Sequence, residues 1–291
     1  MCDEHTLKDW EEYLKNKPVS RRKFTRLTAG AGLAAAFPGM ATAQRLTSGA
    51  VDVLTPDGIA DCYMSHPPSG SYPAVLIWPD VLGLRPAFMD MGRRLAGYGY
   101  TVLVANPYYR DAKAPVVKAG ASFSDQAVRD TVIPLANKLS PETHFTDARA
   151  FIDFLERHES VAHDRKMATI GYCMGGPMVM RTAAARPDVI GAAASFHGSG
   201  LATTADNSPH LLIPDMKADF LVAIAENDDM SDPQAKTTLR DSFQAAGLNA
   251  EIEVYDGAQH GWTVFDSTVY DQDLAERAWN RLLALLKEAT A

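Results

Sequence analysis

From residue 50 onward, short apolar runs rich in β-branched residues alternate with longer amphipathic stretches. Continuous apolar runs are typical of strands buried on both faces, and amphipathic stretches of ten or more residues are typical of helices. Strands that alternate with helices form a parallel sheet covered on both faces. The pattern therefore predicts an α/β fold with a mostly parallel central sheet. The predicted strands are 74–78, 101–105, 167–172, 189–196, 220–225 and 251–255, and the predicted helices are 86–98, 125–138, 142–158, 175–186 and 274–288.

Composition excludes several classes of function. The chain carries 28 Lys and Arg against 36 Asp and Glu, a formal charge of −8, and a nucleic-acid-binding protein needs a basic face instead. No apolar run reaches the length of about 18 residues that a membrane-spanning helix needs. The three cysteines show neither a disulfide framework nor a metal-ligand spacing. No phosphate-binding glycine motif opens a helix after a strand. We expect no nucleic-acid partner, no membrane span, no cofactor and no metal.

The N-terminus has the order of a signal peptide. Residues 20–26 read S-R-R-K-F-T-R, an Ala- and Gly-rich apolar stretch covers residues 27–40, and residues 41–43 read A-T-A. The basic segment resembles a twin-arginine signal, which implies the export machinery as a partner and a periplasmic or secreted protein. The alternative is a basic turn before an Ala-rich helix, in which case the protein stays cytoplasmic. We expect a signal over residues 1–43 and a single domain over residues 44–291, whose formal charge is −10.

The strongest motif lies between a predicted strand and a predicted helix. It reads Gly171-Tyr172-Cys173-Met174-Gly175-Gly176, which is the G-x-S-x-G nucleophile elbow with Cys in place of Ser. In such a turn the nucleophile is exposed at the end of a strand, and the next N–H, here that of Met174, points at a developing oxyanion. The alternative is a buried structural cysteine in a glycine-rich turn.

Two further candidates follow later strands. Asp228 comes after the strand 220–225, and His260 comes after the strand 251–255. In this arrangement the acid and the base follow the nucleophile in that order. His260 is predicted to take the proton of the Cys173 thiol, and Asp228 to hold the imidazole tautomer. Asp229 remains an alternative acid. A surface histidine and a helix-capping aspartate are the non-catalytic interpretations.

The G-Y-C-x-G-G sequence resembles the elbow of the dienelactone hydrolase family (the carboxymethylenebutenolidases), and the similarity extends over roughly residues 50–289. The resemblance implies an α/β-hydrolase fold and a cofactor-independent hydrolase of esters or lactones that works through a covalent acyl-enzyme. The segment 80–84 is similar to the family's E-x-x-G-[VL]. By this likeness Asp80 would interact with the resting nucleophile, and the Val81 N–H would be the second oxyanion donor. Asp80 is one methylene shorter than the family's Glu.

The same resemblance implies the substrate contacts. Residues 106–110 resemble a D-L-Y-x-R stretch, so Arg110, with Tyr109 beside it, would bind an anionic small-molecule substrate. An arginine in that position could instead be solvated. His197 follows the strand 189–196 and is predicted to line the pocket, with a structural histidine as the alternative. Two other functions stay open: the same fold acting on another acyl compound, as a general carboxylesterase or peptidase, and a binding protein without catalysis.

Overall fold

The sheet at the centre of the fold begins with an antiparallel hairpin and continues as parallel strands. The computed structural model describes residues 46–290, so the predicted signal over residues 1–43 lies outside the described residues. The eight strands found among the described residues are β1 (Thr47–Thr55), β2 (Gly58–His66), β3 (Ala74–Trp78), β4 (Thr101–Val104), β5 (Met167–Tyr172), β6 (Ile190–Phe196), β7 (Asp219–Ala225) and β8 (Ala250–Tyr255).

The strand order is β1-β2-β4-β3-β5-β6-β7-β8. Strand β2 pairs antiparallel with both β1 and β4, and every pairing from β4 to β8 is parallel. The predicted α/β fold with a mostly parallel sheet is therefore confirmed. The helices are α1 (Pro86–Ala96), α2 (Gln126–Ala136), α3 (Pro141–Glu156), α4 (Gly175–Ala185), α5 (Glu226–Ser231), α6 (Ala235–Ala246) and α7 (Gln272–Ala289), with a 3-10 helix at Pro209–Asp215.

Helices cover both faces of the sheet, and each face has its own apolar core. One core packs β-strand side chains against Phe151 of α3, Met178 of α4 and Phe243 of α6. The opposite core packs them against Phe88 of α1 and Leu282 of α7. All five residues of β3 and all six of β5 are buried, which explains why these strands read as unbroken apolar runs.

Two kinds of element were not anticipated from the sequence. Strand β1 is mostly exposed, so it lacks the apolar pattern that marks the central strands. Helix α6 buries only Leu239 and Phe243, and α5 buries no residue. Within the part of the chain that the structure describes, no helix combines the length and the apolar character needed to cross a bilayer.

The parallel strands end at one edge of the sheet, and the predicted site residues follow them there. Cys173 comes directly after β5, and His197 comes directly after β6. Asp228 lies in α5, which begins where β7 ends, and His260 lies in the loop after β8. In an open parallel sheet this edge is where ligands bind.

Candidate active site

Cys173 lies in a tight turn between β5 and α4. Its φ of +51° places a non-glycine residue in the left-handed region, which stores strain. The turn is fixed by hydrogen bonds: the Cys173 N–H donates to the Phe196 carbonyl oxygen at 3.0 Å, and the Gly176 N–H donates to the Cys173 carbonyl oxygen at 3.0 Å. The residue is 4% exposed and takes part in no disulfide with another described residue.

Two glycines make this turn sterically possible. A Cβ added at Gly171 would lie 2.3 Å from the carbonyl oxygen of Gly175. A Cβ added at Gly175 would lie 2.5 Å from the carbonyl oxygen of Trp78. Both contacts are with backbone atoms, which cannot move aside as a flexible side chain can. The G-x-C-x-G spacing is therefore a packing requirement of the turn.

His260 and Asp228 are in direct contact. Nδ1 of His260 lies 2.9 Å from each carboxylate oxygen of Asp228. The neighbouring Asp229 lies elsewhere, because both of its oxygens accept from Nζ of Lys236 at 2.6 Å. Of the two acids that the sequence left open, Asp228 is the one beside the imidazole.

The loop that carries His260 is held by residues next to Asp228. The His260 N–H donates to Oδ1 of Asn227 at 2.8 Å, and the Gly257 N–H donates to Oε2 of Glu226 at 2.9 Å. The Glu226 N–H in turn donates to the carbonyl oxygen of Ala258 at 3.0 Å. The start of α5 thus fixes both the side chain and the backbone of the histidine loop. Asn227 and Glu226 were not singled out in the sequence.

A cavity of about 120 Å³, called here the catalytic cavity, opens beside Cys173. Cys173 and His260 line it together, and apolar side chains such as Val81, Phe123 and Val264 form much of its wall. Gly120, Ala121 and Ser122, from the irregular segment before α2, also line the cavity. The cavity therefore places a sulfur nucleophile and an imidazole against a mostly apolar binding space.

Tyr108 connects the two segments that the sequence assigned to the oxyanion. Its hydroxyl donates to the carbonyl oxygen of Val81 at 2.8 Å and lies 3.3 Å from Sδ of Met174. Met174 is the N-terminal boundary residue of α4, and Val81 lies in the turn after β3. Tyr108 is buried, so these contacts are shielded from water. In the sequence, Tyr108 stands in the segment 106–110, but no role was predicted for it.

Asp80 lies in the catalytic cavity in an ion-pair network. Its two carboxylate oxygens accept from Nη1 and Nη2 of Arg85 at 2.7 and 2.9 Å, and Oδ1 also accepts from the Leu82 N–H at 2.9 Å. Arg85 is bound on its other side by Asp266, through Nε and Nη2, both at 2.8 Å. Arg85 and Asp266 were not predicted from the sequence. Arg85 directly follows the segment 80–84, whereas Asp266 lies in a loop that carries no motif.

Arg110 and Tyr109, the predicted substrate contacts, lie outside the wall of the catalytic cavity. The Arg110 guanidinium pairs with Asp147 and with Asp57, and neither Arg110 nor Tyr109 lines the catalytic cavity. The Tyr109 hydroxyl lies 2.8 Å from Oδ1 of Asp147 and 2.7 Å from Oγ1 of Thr55. Both side chains are instead bound by the carboxylate of the buried Asp147.

His197 lines the catalytic cavity and also has structural contacts. Its φ is +41°, its N–H donates to the carbonyl oxygen of Ala223 at 2.8 Å, and its Nε2 lies 3.0 Å from Oγ1 of Thr263. Its ring packs edge-on against the His260 ring at a centroid distance of 4.8 Å. Complete burial holds the pKa of His197 well below its usual value, so the ring is neutral near pH 7.

The remaining described cysteine has a different environment. Cys62 is buried in β2, and burial raises the pKa of its thiol to about 12. A thiol with so high a pKa is a poor nucleophile near pH 7. Among residues 46–290, no group of three or more His, Cys, Asp or Glu side chains is arranged to hold a metal ion.

The amino-acid sequence was compared with family models and with known proteins. The sequence model of the Dienelactone hydrolase family matches residues 60–290. A Salmonella typhi protein assigned as a carboxymethylenebutenolidase is 27% identical over 217 residues, which cover 74% of this chain and 76% of that protein. A Bradyrhizobium protein assigned as a 2-oxo-3-(5-oxofuran-2-ylidene)propanoate lactonase is 25% identical over 243 residues, which cover 81% of this chain and 92% of that protein.

Solved structures show the same architecture. A Klebsiella pneumoniae protein assigned as a dienelactone hydrolase superposes with a TM-score of 0.72 at 22% identity, covering 84% of this chain and 99% of that one. Dienelactone hydrolase from Anabaena variabilis superposes with a TM-score of 0.59 at 15% identity, with the same coverage. At these identities the structures show the α/β-hydrolase fold alone. Because the family model spans most of the chain, the protein belongs to the dienelactone hydrolase family, a family of hydrolases that act on ester or lactone bonds.

Proposed function

We propose that the protein hydrolyses esters or lactones through a covalent acyl-enzyme on Cys173, with His260 as base and Asp228 as the residue that orients it. One observation carries the proposal: Cys173, in a strained left-handed turn, lines the same cavity as His260, and both Asp228 oxygens lie 2.9 Å from Nδ1 of that histidine. A nucleophile, a base and an orienting acid in this relation form the arrangement used for acyl transfer.

The steps follow from the positions of the protons. The Asp228 carboxylate accepts from Nδ1–H of His260, which leaves the lone pair of Nε2 to take the Cys173 thiol proton. The thiolate attacks the acyl carbonyl, and His260 returns the proton to the departing alkoxide, which in a lactone stays attached to the acyl group. Water, deprotonated by His260, then attacks the thioester, and the carboxylic acid and the thiol are released.

The negative charge that develops on the carbonyl oxygen during attack needs hydrogen-bond donors to stabilise it. The backbone N–H groups of Val81 and Met174 are proposed for this role, since Val81 lines the catalytic cavity and Met174 follows the nucleophile at the start of α4. Tyr108 supports the assignment because its hydroxyl contacts both segments. Removal of one such donor costs about 100- to 1,000-fold in kcat in acyl-transfer enzymes.

The catalytic cavity favours a compact and mostly apolar acyl group. Its volume is about 120 Å³, and its charged wall residues are Arg85 with Asp80 and Asp266, a net negative set. The ring-containing substrates in the names of relatives, a butenolide and an oxofuranylidene lactone, are compact as well and support lactones as the substrate class. His197 is proposed to line this space as a neutral ring rather than as a base.

The proposal is tested by thiol removal at two sites. Cys173→Ala is expected to abolish turnover of para-nitrophenyl acetate and of an unsaturated five-membered lactone, with an unchanged circular dichroism spectrum. Cys62→Ala is the matched control, because Cys62 is a buried thiol outside the catalytic cavity. Its turnover is expected to stay within a few-fold of the wild-type value. Turnover that persists in Cys173→Ala contradicts the mechanism.

We further propose that residues 1–43 direct export as a twin-arginine signal. The S-R-R-K-F-T-R sequence and the A-T-A site support this proposal. Expression of the full chain in a bacterium is expected to give periplasmic protein that begins at Gln44. Replacement of Arg21 and Arg22 by Lys is expected to hold the chain in the cytoplasm at full length, and equal distribution of the two proteins contradicts the proposal.

A further inference from the structure

A buried arginine outside the catalytic cavity has no acidic partner within residues 46–290. Three arginines are buried among the described residues: Arg85, Arg94 and Arg181. Arg85 pairs with Asp80 and Asp266, and Arg94 pairs with Glu276. Arg181, in α4, is 6% exposed, and within residues 46–290 no carboxylate oxygen lies within 4.0 Å of it. A buried charge without a counter-charge is costly, so its retention calls for an explanation.

The hydrogen bonds of Arg181 are incomplete and go to neutral groups. Its Nη1 lies 3.1 Å from Nδ1 of His144, and its Nη2 donates to the carbonyl oxygen of Asn207 at 3.1 Å. Its Nε is buried and makes no hydrogen bond with the described residues. Burial lowers the pKa of Arg181, and the exposed Glu142 opposes this effect only from a distance.

His144 adds a second unpaired donor. A guanidinium can only donate, so Nδ1 of His144 accepts, and its ring proton is therefore on Nε2. His144 is 9% exposed, and its Nε2 is buried without a hydrogen-bond partner among the described residues. Burial lowers the pKa of His144 to about 3, which keeps the ring neutral. Among residues 46–290, the pair therefore has more N–H donors than acceptors to receive them.

Both residues line a separate cavity of about 300 Å³, called here the Arg181 cavity. Arg181 is the one residue of its wall with a formal charge, and Ser140, Asn137 and Ser208 add polar groups. The catalytic cavity differs, because its charged wall residues are two aspartates and one arginine. An anionic group is therefore favoured in the Arg181 cavity over the catalytic cavity.

The two cavities adjoin at the nucleophile. Val81 lines both of them, and Met174, the residue after Cys173, lines the Arg181 cavity. The Arg181 cavity is therefore a direct neighbour of the site that holds Cys173. Arg110, the sequence-based candidate for an anionic substrate, is bound to Asp147 and Asp57 instead.

We propose that the Arg181 cavity binds an organic carboxylate, in the first place the carboxylate of an acidic ester or lactone whose reacting carbonyl lies at Cys173. The carboxylate supplies the charge and the acceptors that Arg181 and His144 lack, and a planar guanidinium suits a carboxylate geometrically. The assignment of this carboxylate to the substrate rests on the function proposed above. The binding of a carboxylate in the Arg181 cavity is independent of that function.

Binding is tested in the full chain with Cys173→Ala, so that no turnover occurs. Glutarate is the probe, and glutaramide is its neutral counterpart. Glutarate at saturation is expected to raise Tm by about 3 °C, and glutaramide is expected to have no effect. When Arg181→Met is combined with Cys173→Ala, glutarate is expected to leave Tm unchanged. The Tm without ligand is expected to equal or exceed that of Cys173→Ala, because an unpaired buried charge is removed.

Arg186→Met is the matched control, since Arg186 ends the same helix but pairs with Asp153 and Glu156. It is expected to keep the response to glutarate. A purely structural role for Arg181 predicts the opposite pattern: a lower ligand-free Tm and an unchanged glutarate response. That pattern, or the absence of any glutarate response in Cys173→Ala, overturns the carboxylate site.

Turnover distinguishes a substrate carboxylate from a separate acid. Wild-type kcat/KM is expected to be about 10- to 100-fold higher for mono-para-nitrophenyl glutarate than for para-nitrophenyl pentanoate. Arg181→Met is expected to remove this preference, and Arg186→Met to keep it. In one outcome, Arg181→Met abolishes the glutarate-induced rise in Tm but keeps the kcat/KM preference for the acidic ester. This outcome overturns the assignment to a substrate carboxylate and identifies a separate acid as the ligand. If the wild type hydrolyses neither ester, the proposed hydrolase function is contradicted. The Tm measurement then still tests whether the Arg181 cavity binds a carboxylate.

Discussion

Nδ1 of His260 lies 2.9 Å from both carboxylate oxygens of Asp228, whereas Asp229, the next residue, is bound to Lys236. Asp228→Asn is expected to lower kcat/KM for para-nitrophenyl acetate by about 100- to 10,000-fold, because the amide no longer holds the imidazole in the tautomer that accepts the thiol proton. Asp229→Asn is the matched control and is expected to stay within a few-fold of wild type. Equal losses in the two variants contradict the assignment of Asp228 as the orienting acid.

Tyr108 is expected to act as a positioning residue for the oxyanion donors. Its hydroxyl holds the carbonyl of Val81 and contacts Met174, and removal of the hydroxyl loosens both segments. Tyr108→Phe is expected to lower kcat by about 10-fold, less than loss of a donor itself, with KM changed little. The exposed Tyr98 provides the control Tyr98→Phe. A raised KM with an unchanged kcat in Tyr108→Phe indicates a substrate contact instead.

The elbow is expected to tolerate no side chain at position 171. A Cβ there would lie 2.3 Å from the Gly175 carbonyl oxygen, so Gly171→Ala is expected to lower the free energy of unfolding by about 3 kcal/mol. Gly49→Ala is the control, because a Cβ at Gly49 has no neighbour within 4 Å. Urea unfolding measures both variants. An unchanged unfolding midpoint for Gly171→Ala contradicts the close packing of the turn.

Stability is expected to fall in mild acid because of buried neutral histidines. Burial lowers the pKa of His144 to about 3, below the value of about 6.5 in the unfolded chain. As the pH falls, His144 is therefore protonated in the unfolded chain before it is protonated in the folded protein. Its contribution to the free energy of unfolding is complete above about pH 6.5 and is lost as the pH falls toward 3. The loss by about pH 4.5 is about 2 to 3 kcal/mol for His144, and His197 acts in the same direction.

Urea unfolding of His144→Gln measures this contribution. The variant is expected to lose less stability than wild type between about pH 7.5 and about pH 4.5. His163→Gln, at an exposed position, is the control and is expected to follow the wild-type curve. Identical pH dependence in His144→Gln and wild type contradicts a neutral, buried His144.

The sequence predicted the parts of the fold whose signals are local. The strands β3 and β5 are uninterrupted apolar runs, and their predicted bounds match the observed ones. The glycines around Cys173 marked the turn, because a steric requirement at two positions leaves a readable spacing. Strand β1 escaped prediction because its exposed residues carry no periodic apolar pattern.

Contacts between distant segments were beyond the reach of sequence reasoning. Arg110 stood in a motif but pairs with Asp147, a residue of α3 whose burial no local pattern reveals. Arg85 and Asp266 are 181 residues apart, and only the packed fold brings them together. Arg181 lies in the predicted helix 175–186 and belongs to no motif, and only the packed structure shows that it is buried without an acidic partner among residues 46–290.

The central claim is that Cys173 carries the acyl group, and acid quenching followed by peptide mass spectrometry tests it most directly. The full chain is mixed with para-nitrophenyl acetate, quenched during turnover and digested with a protease. We expect one acetyl group on the peptide that contains Cys173, none on Cys62, and a higher acetylated fraction in His260→Gln after long incubation, because that variant cannot activate the hydrolytic water. An unmodified Cys173 during active turnover, together with turnover in Cys173→Ala, contradicts the account.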